Sequence, residues 1–217
     1  MIKNNLKEVR NTLAEGVCLV AVSKYHPIES VAEAYAEGQR IFGESREQEL
    51  RIKHDALPKD IQWHFIGHLQ TNKVKYIAPY IAMIETVDSI RLMNEINRQG
   101  AKCGRVIDIL LELHLAQEET KSGMTTAECL ALLEEGEWKK MPNVRICGIM
   151  TMASNTDDTD RIRHEFLQAR DFFNEVKARY FADCDTFSIK SYGMSHDYML
   201  AQECDSNHVR IGSRIFS

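Results

Sequence analysis

The sequence predicts an α/β protein, a single (β/α)8 TIM-like barrel spanning residues 1–217. Three observations predict it. Short apolar runs alternate with amphipathic stretches along the chain, the pattern of a parallel sheet flanked by helices. Eight such runs are present, the number that closes a barrel, and such barrels start at about 200 residues. No G-x-G-x-x-G turn follows the first run, which disfavours the competing doubly wound open sheet.

Each element has its own signal. An extra helix over 6–14 precedes the first strand, 17–22, which is apolar throughout, as a strand buried on both faces should be. Pro27 marks a helix start, Ile28, Val31, Ala32 and Tyr35 follow at helical spacing, and Gly38 ends it. A short second strand, 40–43, leads into a helix over 44–54. The third strand fits 61–66, with a short helix over 71–77, and the fourth fits 81–87, with a helix from Asp88. The fifth, 106–115, is richest in leucine and β-branched residues. Its helix opens at Thr125, with Glu128 at the spacing of a capping box. After the sixth strand, 144–150, residues Ile162, Phe166, Ala169, Phe173, Val176 and Tyr180 step by four and three along one helix face. The seventh strand is expected at 186–189, a helix over 195–203, and the eighth strand at 208–211.

Composition narrows the function. There are 27 Lys and Arg against 32 Asp and Glu, a net charge of −5, which argues against nucleic acid as the partner. No apolar run approaches the ~20 residues that span a bilayer. The opening residues lack the apolar core of a signal peptide, so a cytoplasmic protein is expected. The six cysteines are scattered without a C-x-x-C pair and are expected to be free thiols. His64 and His68 have the spacing of a helical metal pair, but they straddle a strand end with Gly67 between them, so no metal is expected. No long apolar stripe demands a dimer, and a monomer is expected.

A barrel of this kind carries its site at the C-terminal strand ends. Lys24 directly follows the first strand, where it can point inward, and desolvation there would favour the neutral, nucleophilic amine. The seventh and eighth loops are where barrels often hold a phosphate. Gly193 with Ser195, and Gly212 with Ser213, offer close backbone approach and hydroxyls in those two places. A Schiff-base lysine with a phosphate cup suggests pyridoxal 5'-phosphate or a phosphosugar aldolase. Arg210, just before the Ile211-Gly212 step, favours the first, because it can face a pyridine nitrogen.

Seven pieces in order then carry a resemblance over nearly the whole chain. They are Ala21-Val22-Ser23-Lys24; Phe42-Gly43-Glu44; Trp63-His64-Phe65-Ile66-Gly67 with Leu69-Gln70 and Asn72-Lys73; Lys121-Ser122-Gly123; Gly148-Ile149-Met150-Thr151-Met152; Gly193-Met194-Ser195 with Asp197; and Val209-Arg210-Ile211-Gly212 with Ile215-Phe216. The chain resembles the YggS/PROSC family, the pyridoxal phosphate homeostasis proteins. The resemblance implies the alanine-racemase-like barrel of fold type III pyridoxal phosphate proteins. It implies a Schiff base on Lys24, phosphate contacts from Ser195, Gly212 and Ser213, Arg210 at the ring nitrogen, and Met150 and Met194 along the pocket. Ser45 stands where the family often has Asn, which leaves a contact to the ring hydroxyl to water. The family is thought to carry or buffer the cofactor, with apo-enzymes as recipients, and has no established turnover.

The alternative is a pyridoxal-phosphate-dependent racemase. That chemistry needs a proton donor on each face of the ring. Lys24 can serve one face, and no residue stands out for the other. Eight units are expected to take up the 217 residues, so the second β domain of barrel racemases is not expected here.

Overall fold

The computed structural model describes residues 1–115 and 122–217. Lys121 of the Lys121-Ser122-Gly123 motif lies outside them. Helix α1 (Ile2–Asn11) comes first and buries Ile2, Leu6 and Val9. Then β1 (Cys18–Val22), α2 (Ile28–Ala36), β2 (Ile41–Glu44), α3 (Glu47–Ala56) and β3 (Gln62–Phe65) follow in alternation. A 3₁₀ turn (Thr71–Lys73) runs into α4 (Val74–Ile77), and β4 (Met83–Val87), α5 (Ile90–Cys103) and β5 (Ile107–Leu113) continue the series. The second half holds α6 (Thr126–Glu135), β6 (Val144–Thr151), α7 (Thr159–Tyr180), β7 (Ile189–Met194), α8 (Tyr198–Glu203), β8 (His208–Ile211) and α9 (Ser213–Phe216). Each strand pairs with the next in parallel, and β8 closes on β1.

The outward strand faces and inward helix faces form one apolar layer, with Phe42, Trp63, Phe65, Ile84, Ile109, Ile149, Tyr192 and Val209 among its members. In α7 the buried face holds Ile162, Phe166, Ala169, Phe173 and Val176, as the spacing predicts. The capping box at α6 is present in full: Glu128 N donates to Thr125 Oγ1, and Thr125 N donates to the Glu128 carboxylate. The inside of the barrel is different. Met83, Leu110, Cys147 and Met150 make a small apolar plug, and the polar side chains of His64, Glu85, Glu112, Ser191 and Arg210 are buried as well.

Three boundaries differ from expectation for physical reasons. Glu44 is not the first residue of a helix. It ends β2, fully buried, and α3 starts at Glu47. Strand β7 is Ile189–Met194, so Ser191, Gly193 and Met194 belong to the strand rather than to the loop after it. Helix α8 accordingly begins at Tyr198, not Ser195. The earlier run Thr186-Phe187-Ser188 is β-like in composition, but Phe187 stacks on Phe173 and Phe181, with ring centroids 4.9 and 4.3 Å apart. That stacking makes the stretch part of the floor below the sheet.

Candidate functional site at the barrel mouth

Lys24 follows β1 and is exposed, with Nζ 5.8 Å from the Tyr25 ring centroid. The expected inward, protein-desolvated lysine is therefore replaced by one open to solvent. The turn that carries it is nonetheless held firmly. Tyr25 takes a left-handed backbone (φ 67°), which L residues adopt rarely, and its N–H donates to Glu49 Oε1 at 2.7 Å. The buried Lys53 ammonium donates to Ser23 O, Glu44 Oε1 and Glu49 Oε1, each at 2.7 Å. Ser23 Oγ donates to the same Glu44 oxygen at 2.5 Å. Burial pushes the Glu44 carboxyl above its ordinary pKa, against the lowering by Lys53 and Ser23.

The expected phosphate loops stand beside Lys24, because β1 pairs with β8: Val20 registers with Arg210 and Ala21 with Ile211. Gly193 has φ +100°, and a Cβ there would stand 2.6 Å from the Ala201 Cβ, so this end of β7 needs glycine. Gly212 N–H donates to Ser195 Oγ at 3.2 Å, which joins the two loops and leaves the hydroxyl proton free to meet an anion. Arg214 Nε donates to Ser195 O, and Asp197 Oδ1 accepts from Met194 N–H, each at 2.6 Å. Ser213 is exposed and half-buried Met194 lies at the end of β7. Ser45 lines a separate cleft of about 300 Å³ with Arg46, Phe65, His68 and Lys73. A side chain on Gly67 would strike the Ser45 carbonyl at 2.3 Å, so the close approach of these two loops requires glycine. Met150, fully buried, sits in the plug below the mouth.

Under the mouth runs a buried polar string. Arg210 Nη1 donates to Ser191 O (2.9 Å) and Ser191 Oγ (2.6 Å), and Nη2 donates to Thr151 O (2.9 Å). Ser191 Oγ donates across the barrel to Glu85 Oε2 at 2.6 Å, and His64 Nδ1 donates to Glu85 Oε1 at 2.7 Å. Burial would raise the Glu85 pKa, but the His64 bond and charge, the Arg210 charge and the Ser191 bond hold it at about 2. Among the described residues Arg210 Nε meets no acceptor. Glu112 is also buried on the inner wall. It accepts from Ser122 Oγ at 2.6 Å, and burial pushes its pKa up.

Lys24, Ser195, Gly212, Ser213 and Arg210 thus gather at the adjoining ends of β1, β7 and β8, whereas Ser45 faces a neighbouring cleft. Sequence reasoning placed Glu44 and Ser191 at strand ends without a role, and passed over Glu85 and Lys53. One signal was there: Glu85 is an acid inside the apolar run 81–87, and a buried charge requires partners.

A closed parallel eight-stranded barrel, with a lysine after its first strand and hydroxyl-bearing loops after its seventh and eighth, defines the class. The family model for the alanine racemase N-terminal domain matches residues 1–217. The pyridoxal phosphate homeostasis protein of Aquifex aeolicus is 36% identical over 199 residues, 91% of this chain and 85% of that one. The human protein of the same name is 36% identical over 208 residues, 91% of this chain and 75% of the relative. PipY of Synechococcus elongatus is 32% identical, covers both chains fully and superposes with a TM-score of 0.93 without PLP and 0.90 with PLP bound. The chain belongs to the alanine racemase N-terminal-domain family and, within it, to the pyridoxal phosphate homeostasis proteins.

Proposed function

We propose that this chain binds pyridoxal 5'-phosphate through a Schiff base on Lys24 and acts in its intracellular homeostasis, as a carrier without turnover. The donor set suits that ligand. The Ser195 and Ser213 hydroxyls and the Gly212 loop would hold the phosphate. Arg210 would donate from Nε to the ring nitrogen, and Met150 and Met194 would border the ring. Bound there, the group supplies an aldehyde that condenses reversibly with a primary amine.

The observation that carries the reading is the exposure of Lys24 on a fixed turn beside the two hydroxyl-bearing loops. The names of the relatives and the PLP-bound PipY structure support the ligand. Six free cysteines fit a reducing compartment such as the cytoplasm, where apo-enzymes would be the recipients.

The test compares the native chain with Lys24→Ala. The native protein should turn yellow with pyridoxal phosphate, release the cofactor to an apo-enzyme, and racemise neither alanine nor serine. Lys24→Ala should lose the yellow band and keep only weaker, phosphate-held binding. Racemisation that Lys24→Ala abolishes would replace the carrier reading with the enzyme.

A further inference from the structure

Arg210 is one end of a string whose other members have no part in the reading above. The string has a direction. Arg210 donates to Ser191 Oγ, Ser191 donates to Glu85, and His64 donates to the other Glu85 oxygen. Because an ionised carboxylate only accepts, it draws the Ser191 proton toward itself and turns the hydroxyl lone pairs toward Arg210. The second Arg210 nitrogen is spent on Thr151 O, so both terminal nitrogens are fixed from β6 and β7. Glu85 Oε2 also stands 3.6 Å from Arg210 Nη1, close enough to offset its charge.

Four polar groups are a costly way to fill a barrel. Replacing a buried ionic cluster with apolar residues of similar volume is often neutral or stabilising. All four members here are nearly inaccessible, and Met83, Leu110, Cys147 and Met150 show that an apolar filling fits the same interior. A positional role accounts for what stability does not.

We infer that Glu85 is a positioning residue for the cofactor. With His64 anchoring its far oxygen, it orients the Ser191 hydroxyl, which joins the Ser191 and Thr151 carbonyls in holding the Arg210 guanidinium, and it offsets the guanidinium charge, so that Nε is the donor offered to the ring nitrogen of bound pyridoxal phosphate. The inference rests on the cofactor reading given above.

Two variants separate charge from hydrogen bonding. Glu85→Gln keeps the shape and removes the charge. Ser191→Ala removes the hydroxyl that links Glu85 to Arg210 and keeps the backbone carbonyl that accepts from Nη1. Each is loaded with pyridoxal phosphate, and its affinity is measured by equilibrium dialysis and its absorption maximum by spectroscopy. Far-UV circular dichroism reports the fold. Both variants should keep the native fold and the borohydride-reducible label on Lys24. Both should bind about tenfold more weakly, the loss of roughly one hydrogen bond to a charged group. In both, the absorption maximum should shift from its native position. Native affinity and a native maximum in both variants would overturn the inference, even if thermal stability fell. Should Glu85→Gln fail to fold, Ser191→Ala decides by the same readouts. A native chain that forms no band would defeat the cofactor reading itself, an outcome distinct from unchanged variants.

Discussion

His208 lies on the inner face of β8, two residues before Arg210, and feels the charges of Glu85, His64 and Arg210. Burial lowers its pKa to about 4 from the ordinary 6.5. In the unfolded chain the imidazole takes a proton near pH 6.5, so between pH 6.5 and 4 the unfolded state binds more protons. Stability therefore falls as the pH drops through that window, by roughly 2–3 kcal/mol from this residue. Glu85 acts in the same direction at lower pH. Its pKa of about 2 lies below the ordinary carboxylate value, so its contribution is complete above about pH 4.5 and is lost as the pH falls toward 2. Urea denaturation at pH 7 and pH 4.5 should show a smaller loss for His208→Gln than for the native chain; equal losses would contradict the assignment. Of these inner residues, Arg210 was legible because it sits one step from a strand end that also carries Gly212. The pairing of Glu85 was not, because its partner Ser191 lies 106 residues away in the chain.

At the scale of elements, Lys53 ties three together: the end of β1 through Ser23, the end of β2 through Glu44, and α3 itself through Glu49. Lys53→Met would leave the buried Glu44 carboxylate without its cation, a loss of about 3–5 kcal/mol. Adding Glu44→Gln should restore part of it. Equilibrium urea melts of the single and double variants measure both, and a single variant as stable as the native chain would show that the clamp carries nothing. Thr125→Ala, which removes the α6 cap, should cost about 1 kcal/mol in the same experiment. Local signals such as that cap and the one-faced α7 were readable because every residue involved lies within a few turns. The β2 and β7 boundaries were not. The acid at Glu44 looked like a helix start until Lys53 supplied its partner, and β7 carries Ser191 and Gly193 where an apolar run was sought.

For the whole molecule, closure matters most. With β8 hydrogen-bonded to β1, no described strand is left as a free edge, and each packs between two neighbours. The α1 helix crosses back to the C-terminal end, where Asn5 Nδ2 donates to Ile215 O at 3.0 Å. We therefore expect residues 1–217 to unfold as one cooperative unit. Trp63 sits fully buried in β3, and Trp138 lies against Phe181 in the floor below the sheet. Tryptophan fluorescence and far-UV circular dichroism should trace coincident urea transitions, whereas separated midpoints would reveal independently folding parts. The barrel class was legible from the eight-fold alternation of runs. The polar interior was not, because which strand face turns inward depends on the register of strands far apart in sequence.

We propose that the lysine at the end of β1 holds pyridoxal phosphate at the mouth of this barrel. The most direct measurement is borohydride reduction of the protein mixed with pyridoxal phosphate, followed by peptide mass mapping. One pyridoxyl group per chain is expected, on the peptide that carries Lys24, with loss of the yellow band. A label spread over surface lysines, or confined to a lysine other than Lys24, would contradict it.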